Sequence, residues 1–331
     1  MIIRKQAYAR AGLIGNPSDG YHGKTIALTV KNFRARITLY ESPEMEIIRA
    51  REDLTRFDSV DALVSDVRLH GYYGGVRLLK ASIKRFVEYC RNAGKTLPAK
   101  NFTIRYETDV PRLVGLAGSS AIITATMRAL MQFYDVEIPK PELPSMVLSV
   151  ETDELGIQAG LQDRVAQTYE GVVYMDFDRA YMAEHGHGRY EPLDPSGLPP
   201  LYLAYDDRRA EPTERPHSAV RDMYDRGDAK VVKVMQQIAG LVDEARECID
   251  RRDAAGLSRL IDRNFDLRSE VFDISAENQA MIDAARSAGA SAKFTGSGGA
   301  IIGIYDSPNT LERARGALED LGCSVILPKV V

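Results

Sequence analysis

Pro111-Arg-Leu-Val-Gly-Leu-Ala-Gly-Ser-Ser-Ala121 is a run of small residues that can hold phosphate. It follows NFTIRYET (101–108), where Phe102, Ile104 and Tyr106 alternate with polar neighbours at the period of a half-buried strand. It precedes apolar residues at helical spacing: Ile123, Met127, Leu130 and Tyr134. A strand feeding a small-residue turn and then a helix leaves unpaired N–H groups and the positive end of the helix dipole facing outward together, which makes an anion site. Gly115 and Gly118 let the backbone approach a bulky anion closely. Ser119 and Ser120 can cap the helix or offer a hydroxyl to a bound metal. A lone Gly-Ser pair would indicate only a capped helix. Glycine-rich loop, paired serines and long helix together point to phosphate binding.

A second group of chemical residues lies 30 to 40 positions on. A helix over 141–154 ends in Glu151-Thr-Asp153-Glu154, and Asp163 follows before a strand over 171–177. Phosphoryl transfer needs acids for Mg²⁺ and, in many enzymes, a carboxylate near the attacking hydroxyl. Asp153 and Glu154 read as a solvated helix end, although Glu154 rivals Glu151 as a metal ligand. Asp163 is embedded among Gly160, Leu161 and Val165, which favours a functional role. Arg77 sits one turn into a helix over 76–90 and can point at an anion. The aromatic and glycine cluster His70-Gly-Tyr-Tyr-Gly-Gly75 reads as packing ahead of a sugar or base pocket. Asp19 beside Gly20 is, taken alone, a turn residue. SDGYHGKT is not a Walker A loop, because the first glycine of that pattern falls at Ser18. His185 and His187 lack partners at metal-ligand spacing.

The elements that must position these residues are spread along the chain. Strands are expected at 2–15, 25–30, 34–40, 201–205 and 323–328, and helices at 59–69, 230–249 and 310–321. The Gly- and Pro-rich segment 178–200 reads as a flexible inter-domain crossing, with a boundary near Pro195. At 331 residues, 44% hydrophobic and 27% charged, the chain is an ordinary soluble globular one, long enough for a sizeable core. A net charge of −4 carries no nucleic-acid footprint. Three scattered cysteines suit a reducing cytoplasm, and no apolar run reaches the length of a membrane span.

The 111–121 run resembles the phosphate loop of the GHMP small-molecule kinases, usually Pro-x-x-x-Gly-Leu-Gly-Ser-Ser-Ala. This chain carries one extra residue, Ala117-Gly118 in place of a single small residue. The segment around Leu13-Ile-Gly15 and Asp19 resembles the first motif of that family, and Lys293-Phe-Thr-Gly-Ser-Gly-Gly299 the third. With all three in order, the chain is identified as a member. The resemblance implies a two-domain α+β fold. Its ATP-binding N-terminal domain, 1–195, would be like ribosomal protein S5 domain 2, and its C-terminal domain, 196–331, ferredoxin-like. It implies ATP and Mg²⁺ as cofactors. ATP phosphate would lie on Pro111, Gly115, Leu116, Ala117, Gly118, Ser119, Ser120 and Ala121, and the metal on Ser120 and Glu151. Asp163, twelve residues after Glu151, takes the base position, and Arg10 the place of a catalytic-site Lys or Arg. Asp19, with Tyr21, falls where the sugar-kinase branch holds hydroxyls, and Gly296, Ser297 and Gly298 fall in the substrate-shaping loop.

Within the family the match narrows to the plant-type glucuronokinase branch. The similar stretches are AYARAGLIGNPSDGYHGKTI (7–26), GYYGGVRLL (71–79), 111–122, LGIQAGLQDRVAQTY (155–169) and 293–300. This implies D-glucuronate phosphorylated at its anomeric hydroxyl, giving glucuronate 1-phosphate and ADP. A uronate needs a cation for its carboxylate, preferably the planar fork of an arginine, and Arg164 and Arg77 are the candidates. Two other readings stay open: a kinase of this family for another aldose or small hydroxy compound, or a catalytically silent ATP- and sugar-binding sensor.

Overall fold

Strand β1, Ile2–Ile14, runs antiparallel to the long β2, Lys24–Glu41, and this pair is the spine of the first domain. The computed structural model describes residues 1–50, 53, 58–60, 74–206 and 214–330, with backbone only for 214–218. The two strands expected at 25–30 and 34–40 are one strand. The register shifts between Tyr8 and Ala9 of β1, so residues 31–33 of β2 bulge out instead of turning back. The bulge has its own use, for Lys31 N–H donates to the Lys329 carbonyl and Asn32 Nδ2 to that of Leu327. It thereby fastens the C-terminal segment to the first sheet.

Chain order continues with β3 (Glu46–Ile48), α1 (Gly75–Asn92), β4 (Phe102–Thr108), α2 (Gly118–Tyr134), α3 (Leu143–Ser149), α4 (Leu161–Tyr169), β5 (Val172–Asp176), α5 (Arg179–His185) and β6 (Arg189–Leu193). The first sheet has the order β3-β4-β2-β5-β6, with β1 along β2. α1 and α2 cover it by burying Leu78, Phe86, Ile123 and Met127 against Ile37 and Ile104. The segment 178–200, expected as a flexible crossing, is mostly folded. Asp178 caps α5 by accepting from Tyr181 N–H at 2.9 Å, and β6 pairs with β5. Gly186, Gly188 and Pro192 break any sequence period there, which is why it read as a linker. The helix expected over 59–69, from residue 61 on, and residues 70–73 of the cluster expected over 70–75 lie outside the described residues.

The second domain runs β7 (Leu201–Tyr205), α6 (Glu214–Asp225), α7 (Ala229–Arg251), α8 (Ala254–Ser269), α9 (Ala276–Ser287), β8 (Lys293–Phe294), β9 (Ala300–Ile304), α10 (Pro308–Asp320) and β10 (Ser324–Ile326). Its antiparallel sheet has the order β10-β7-β9-β8, the split βαβ arrangement of ferredoxin-like folds. Four of the caps are aspartates or serines where the sequence turns helical: Asp228 on α7, Asp253 on α8, Ser275 on α9 and Ser307 on α10. One apolar core joins the domains, since Ala9, Leu13 and Ile26 pack with Leu203, Ile238 and Leu241. A cavity of about 800 Å³ opens where they meet.

Candidate active site

The wall of the cavity expected to take phosphate is built by the chain leaving β4. Gly115 takes φ +71°, and a Cβ there would lie 2.9 Å from the Gly298 carbonyl oxygen, so only glycine fits the contact between the two loops. The residue that is extra to the family pattern is absorbed at the helix end. Ala117 adopts a left-handed conformation (φ +63°, ψ +44°) as the N-cap of α2. Its carbonyl accepts from Gln167 Nε2 at 2.9 Å and Ser120 Oγ at 3.2 Å. No side chain caps α2. Its first N–H groups and dipole end are therefore available to an anion.

Beneath this loop runs a chain of ion pairs. Arg10, from β1, sets Nη2 2.5 Å from Asp163 Oδ1, and its Nη1 donates to the carbonyls of Thr295 (2.6 Å) and Gly115 (3.1 Å). Arg164 contacts the other Asp163 oxygen at 3.3 Å, donates to the Gly160 carbonyl at 2.7 Å, and closes on Glu151 Oε2. Glu151 Oε1 accepts from Ser119 Oγ at 2.8 Å. The helix expected over 141–154 ends with α3 at Ser149 and continues as a wider π-type turn, Val150–Glu154. That turn carries Glu151 inward, while Glu154 pairs with Lys84 at 2.5 Å and Asp153 with Arg85 at 3.3 Å. The two outer acids thus fasten the turn to α1.

These pairings set the protonation states. Burial by itself would raise Asp163, but Arg10 and then Arg164 outweigh it and hold the carboxyl below the usual range. Asp19 goes the other way. It sits in the short turn Ser18–Tyr21 that follows a cis Asn16–Pro17 bond, and burial, reinforced by Asp163 and opposed by Arg10, pushes it up to about 6. A Cβ on Gly160 would run into the Asp19 carboxylate, so that glycine brings the acid against the start of α4.

The second domain closes the cavity with the turn 295–299. Arg268 holds that turn by donating to the carbonyls of Gly296 (2.7 Å) and Ser297 (2.9 Å). Lys293, fully buried, donates to the carbonyls of Gly12 (3.0 Å) and Phe294 (2.8 Å) and to Asn16 Oδ1. Burial lowers Arg268 to about 10; burial, then Arg268 and Arg10, push Lys293 well below the usual amine value.

Arg10, Asp19, Tyr21, Asp163 and Arg164 converge on the cavity, as do Glu151 and Ser119. So do Pro111, Gly115, Leu116, Ala117 and Gly118 of the loop, Gly296 and Ser297 of the second domain, and Arg77 of α1. Three expected site residues do not line it. Ser120 and Ala121 are buried inside α2, and Gly298 turns against the Asn278 side chain. The hydroxyl beside Glu151 belongs to Ser119, because the left-handed Ala117 rotates Ser120 Oγ back to its own carbonyl. Sequence reasoning missed Arg268 and Arg221, which lack a local motif, and passed over Lys293 although it opens the third glycine stretch. Among the described residues there is no group of three or more His, Cys, Asp or Glu that could hold a metal ion. Nor is any described helix long and apolar enough to cross a membrane.

An uncapped helix end and an ionised carboxylate lining one cavity are what phosphoryl transfer needs. Comparison with known proteins gives the class its name. The model of the GHMP kinases N terminal domain matches residues 78–171, and that of the GHMP kinases C terminal matches 245–322. Glucuronokinase 1 of Arabidopsis thaliana is 43% identical over 307 residues, 91% of this chain and 84% of its own length. Probable glucuronokinase 2 of the same plant is 44% identical over 309 residues, with the same coverage. The crystal structure of Lactococcus lactis galactokinase complexed with galactose superposes with a TM-score of 0.78 at 14% identity, covering 99% of this chain and 93% of that one. The chain belongs to the GHMP kinase family, with that family's two-domain α+β fold. It is a sugar kinase, a phosphotransferase with an alcohol group as acceptor.

Proposed function

We propose that the protein is an ATP- and Mg²⁺-dependent sugar 1-kinase that phosphorylates D-glucuronate at its anomeric hydroxyl, giving glucuronate 1-phosphate and ADP. The observation that carries this reading is the 43% identity to Glucuronokinase 1 across 91% of the chain. The site chemistry supports it. The uncapped start of α2 and the Cβ-free approach at Gly115 fit a polyphosphate. Ser119 Oγ and Glu151 Oε1 are hard oxygens 2.8 Å apart, the kind of donors Mg²⁺ takes beside phosphate oxygens. We therefore move the serine ligand from Ser120 to Ser119 and keep Glu151. When bound, the metal would neutralise charge on the transferring phosphoryl group.

The chain's own residues do the rest. Arg164 grips Glu151 Oε2 and leaves Oε1 toward Ser119. Asp163 accepts the hydrogen bond of the attacking hydroxyl and receives its proton as the bond to phosphorus forms. Held ionised by Arg10 and Arg164, it is a weak base, so orientation is the larger part of its work. Asp19 accepts from the other sugar hydroxyls across the same wall. Three free cysteines suit a reducing, cytoplasmic setting, and ATP and a small sugar acid are the only partners this reading requires.

The test is ADP release from MgATP against D-glucuronate, D-galacturonate, D-glucose, D-galactose, L-arabinose and mevalonate, with the product's phosphate located by phosphorus NMR. Turnover should be confined to glucuronate, with phosphate on the anomeric oxygen. Turnover on a neutral sugar instead would discard the acceptor and keep the kinase. ATP binding with no turnover on any of them would favour a sensor.

A further inference from the structure

A uronate brings a negative charge into a cavity where the two arginines beside Asp163 are already committed. Arg10 is paired with Asp163, and Arg164 with both Asp163 and Glu151. Around Asp163, then, these two guanidinium groups are shared among Asp163, Glu151 and the neighbouring Asp19. A substrate carboxylate placed near that cluster would need a cation outside it, and the cavity offers Arg77, Arg112 and Arg221. Arg164, one of the two candidates from sequence beside Arg77, is buried with both Nη atoms occupied. Arg77 and Arg112 also line the cavity, and Arg112 belongs to the 111–121 loop itself.

Arg221, on α6 of the second domain, reaches the cavity at the Asp19 turn. Its Nη1 donates to the Gly20 carbonyl at 2.6 Å, one residue from Asp19, and its guanidinium lies 5.7 Å from the centre of the Tyr21 ring. Its Nε donates to Asp225, four residues on, in a pair whose side chains are 46% and 55% exposed. Such a pair is weak and readily exchanged for a better anion. Among the described residues Nη2 has no hydrogen-bond partner. The Gly20 contact fixes the guanidinium in advance, which lowers the entropy lost when it takes a ligand.

We propose that Arg221 receives the substrate's carboxylate and so sets the preference for a uronate over a neutral aldose. The inference rests on the acceptor proposed above. It is tested with D-glucuronate and its neutral amide, D-glucuronamide, on parent, Arg221→Gln and Arg221→Lys enzymes, by kinetics at saturating MgATP and by calorimetric binding in the presence of a non-hydrolysable ATP analogue. Arg221→Gln should raise KM and Kd for glucuronate about 10- to 100-fold, the loss of a charge-assisted pair. The constants for glucuronamide should move by no more than about two-fold, and Arg221→Lys should fall between. Equal losses on both ligands would make Arg221 a mere support of the Asp19 turn and overturn the inference. So would an unchanged glucuronate KM, or the same loss appearing in Arg77→Gln instead. A parent enzyme inert toward glucuronate but active on another sugar would overturn the acceptor reading, and this inference with it.

Discussion

Two groups of buried charge flank the cavity, and they follow different rules. On the first domain's side, Arg10, Asp163, Arg164 and Glu151 alternate cation with anion. On the second domain's side, Arg268 and Lys293 are held by carbonyl and amide oxygens, which donate no countercharge. The alternating group sets the protonation state of Asp163, the acid proposed above to meet the substrate. The carbonyl-bound group stitches backbone to backbone: Lys293 ties residues 12 and 16 to β8, and Arg268 ties α8 to the glycine turn. A charge that only accepting dipoles satisfy is expensive to bury, which is why both cations are shifted toward their neutral forms. Paired charge serves chemistry here, and unpaired charge serves architecture.

The largest expected effect falls on the paired group. Asp163→Asn keeps the shape and removes the anion between two arginines, so turnover should drop about 10²- to 10⁴-fold while calorimetric ATP affinity stays near that of the parent. Turnover close to the parent's would deny this group its chemical role.

Next comes stability, where the two groups should part. Arg164→Met leaves Glu151 buried and unpaired, which should cost about 3–5 kcal/mol in denaturant unfolding, and adding Glu151→Met should restore most of it. Lys293→Met removes a costly charge along with its hydrogen bonds, so the net loss should be smaller, about 1–3 kcal/mol. Equal losses in the two single variants would erase the distinction.

How far the sequence reveals each group follows from the same contrast. The phosphate loop is legible because strand, glycines and helix are contiguous, and their order alone implies an anion site. Asp163 stands out as an acid among apolar and glycine neighbours, and Arg10 enters through likeness to the family. Arg268 and Arg221 are illegible because their partners are backbone carbonyls 28 and 201 positions away, and a carbonyl leaves no mark in a sequence. The choice of Ser119 over Ser120 depends on one left-handed residue, Ala117, whose type gives no warning of its φ. In the fold, the helices of the second domain are legible from apolar spacing, as α7 is from Val234, Ile238 and Leu241. The bulge that makes β2 continuous is not, because Lys31 and Asn32 look like a turn until the C-terminal segment is seen bonded to them.

The smallest effect tests the group that lies between the two clusters. Asp19 is raised to about 6 by burial and by Asp163, with Arg10 opposing. The folded protein thus holds that proton more tightly than the unfolded chain does. The resulting stability is complete below the ordinary carboxylate range and is lost as pH rises through about 6. Activity should run the other way, since only the ionised form accepts from two sugar hydroxyls at once. The ratio kcat/KM for glucuronate should rise about ten-fold between pH 5 and 7, as one ionisation near 6 requires. Asp19→Asn should flatten that limb while lowering the plateau. Asp163 cannot supply the limb, because Arg10 and Arg164 keep it ionised well below this window. A limb that persists in Asp19→Asn would therefore mean that the paired group titrates in the working range, and that countercharge does less for Asp163 than its two arginines suggest.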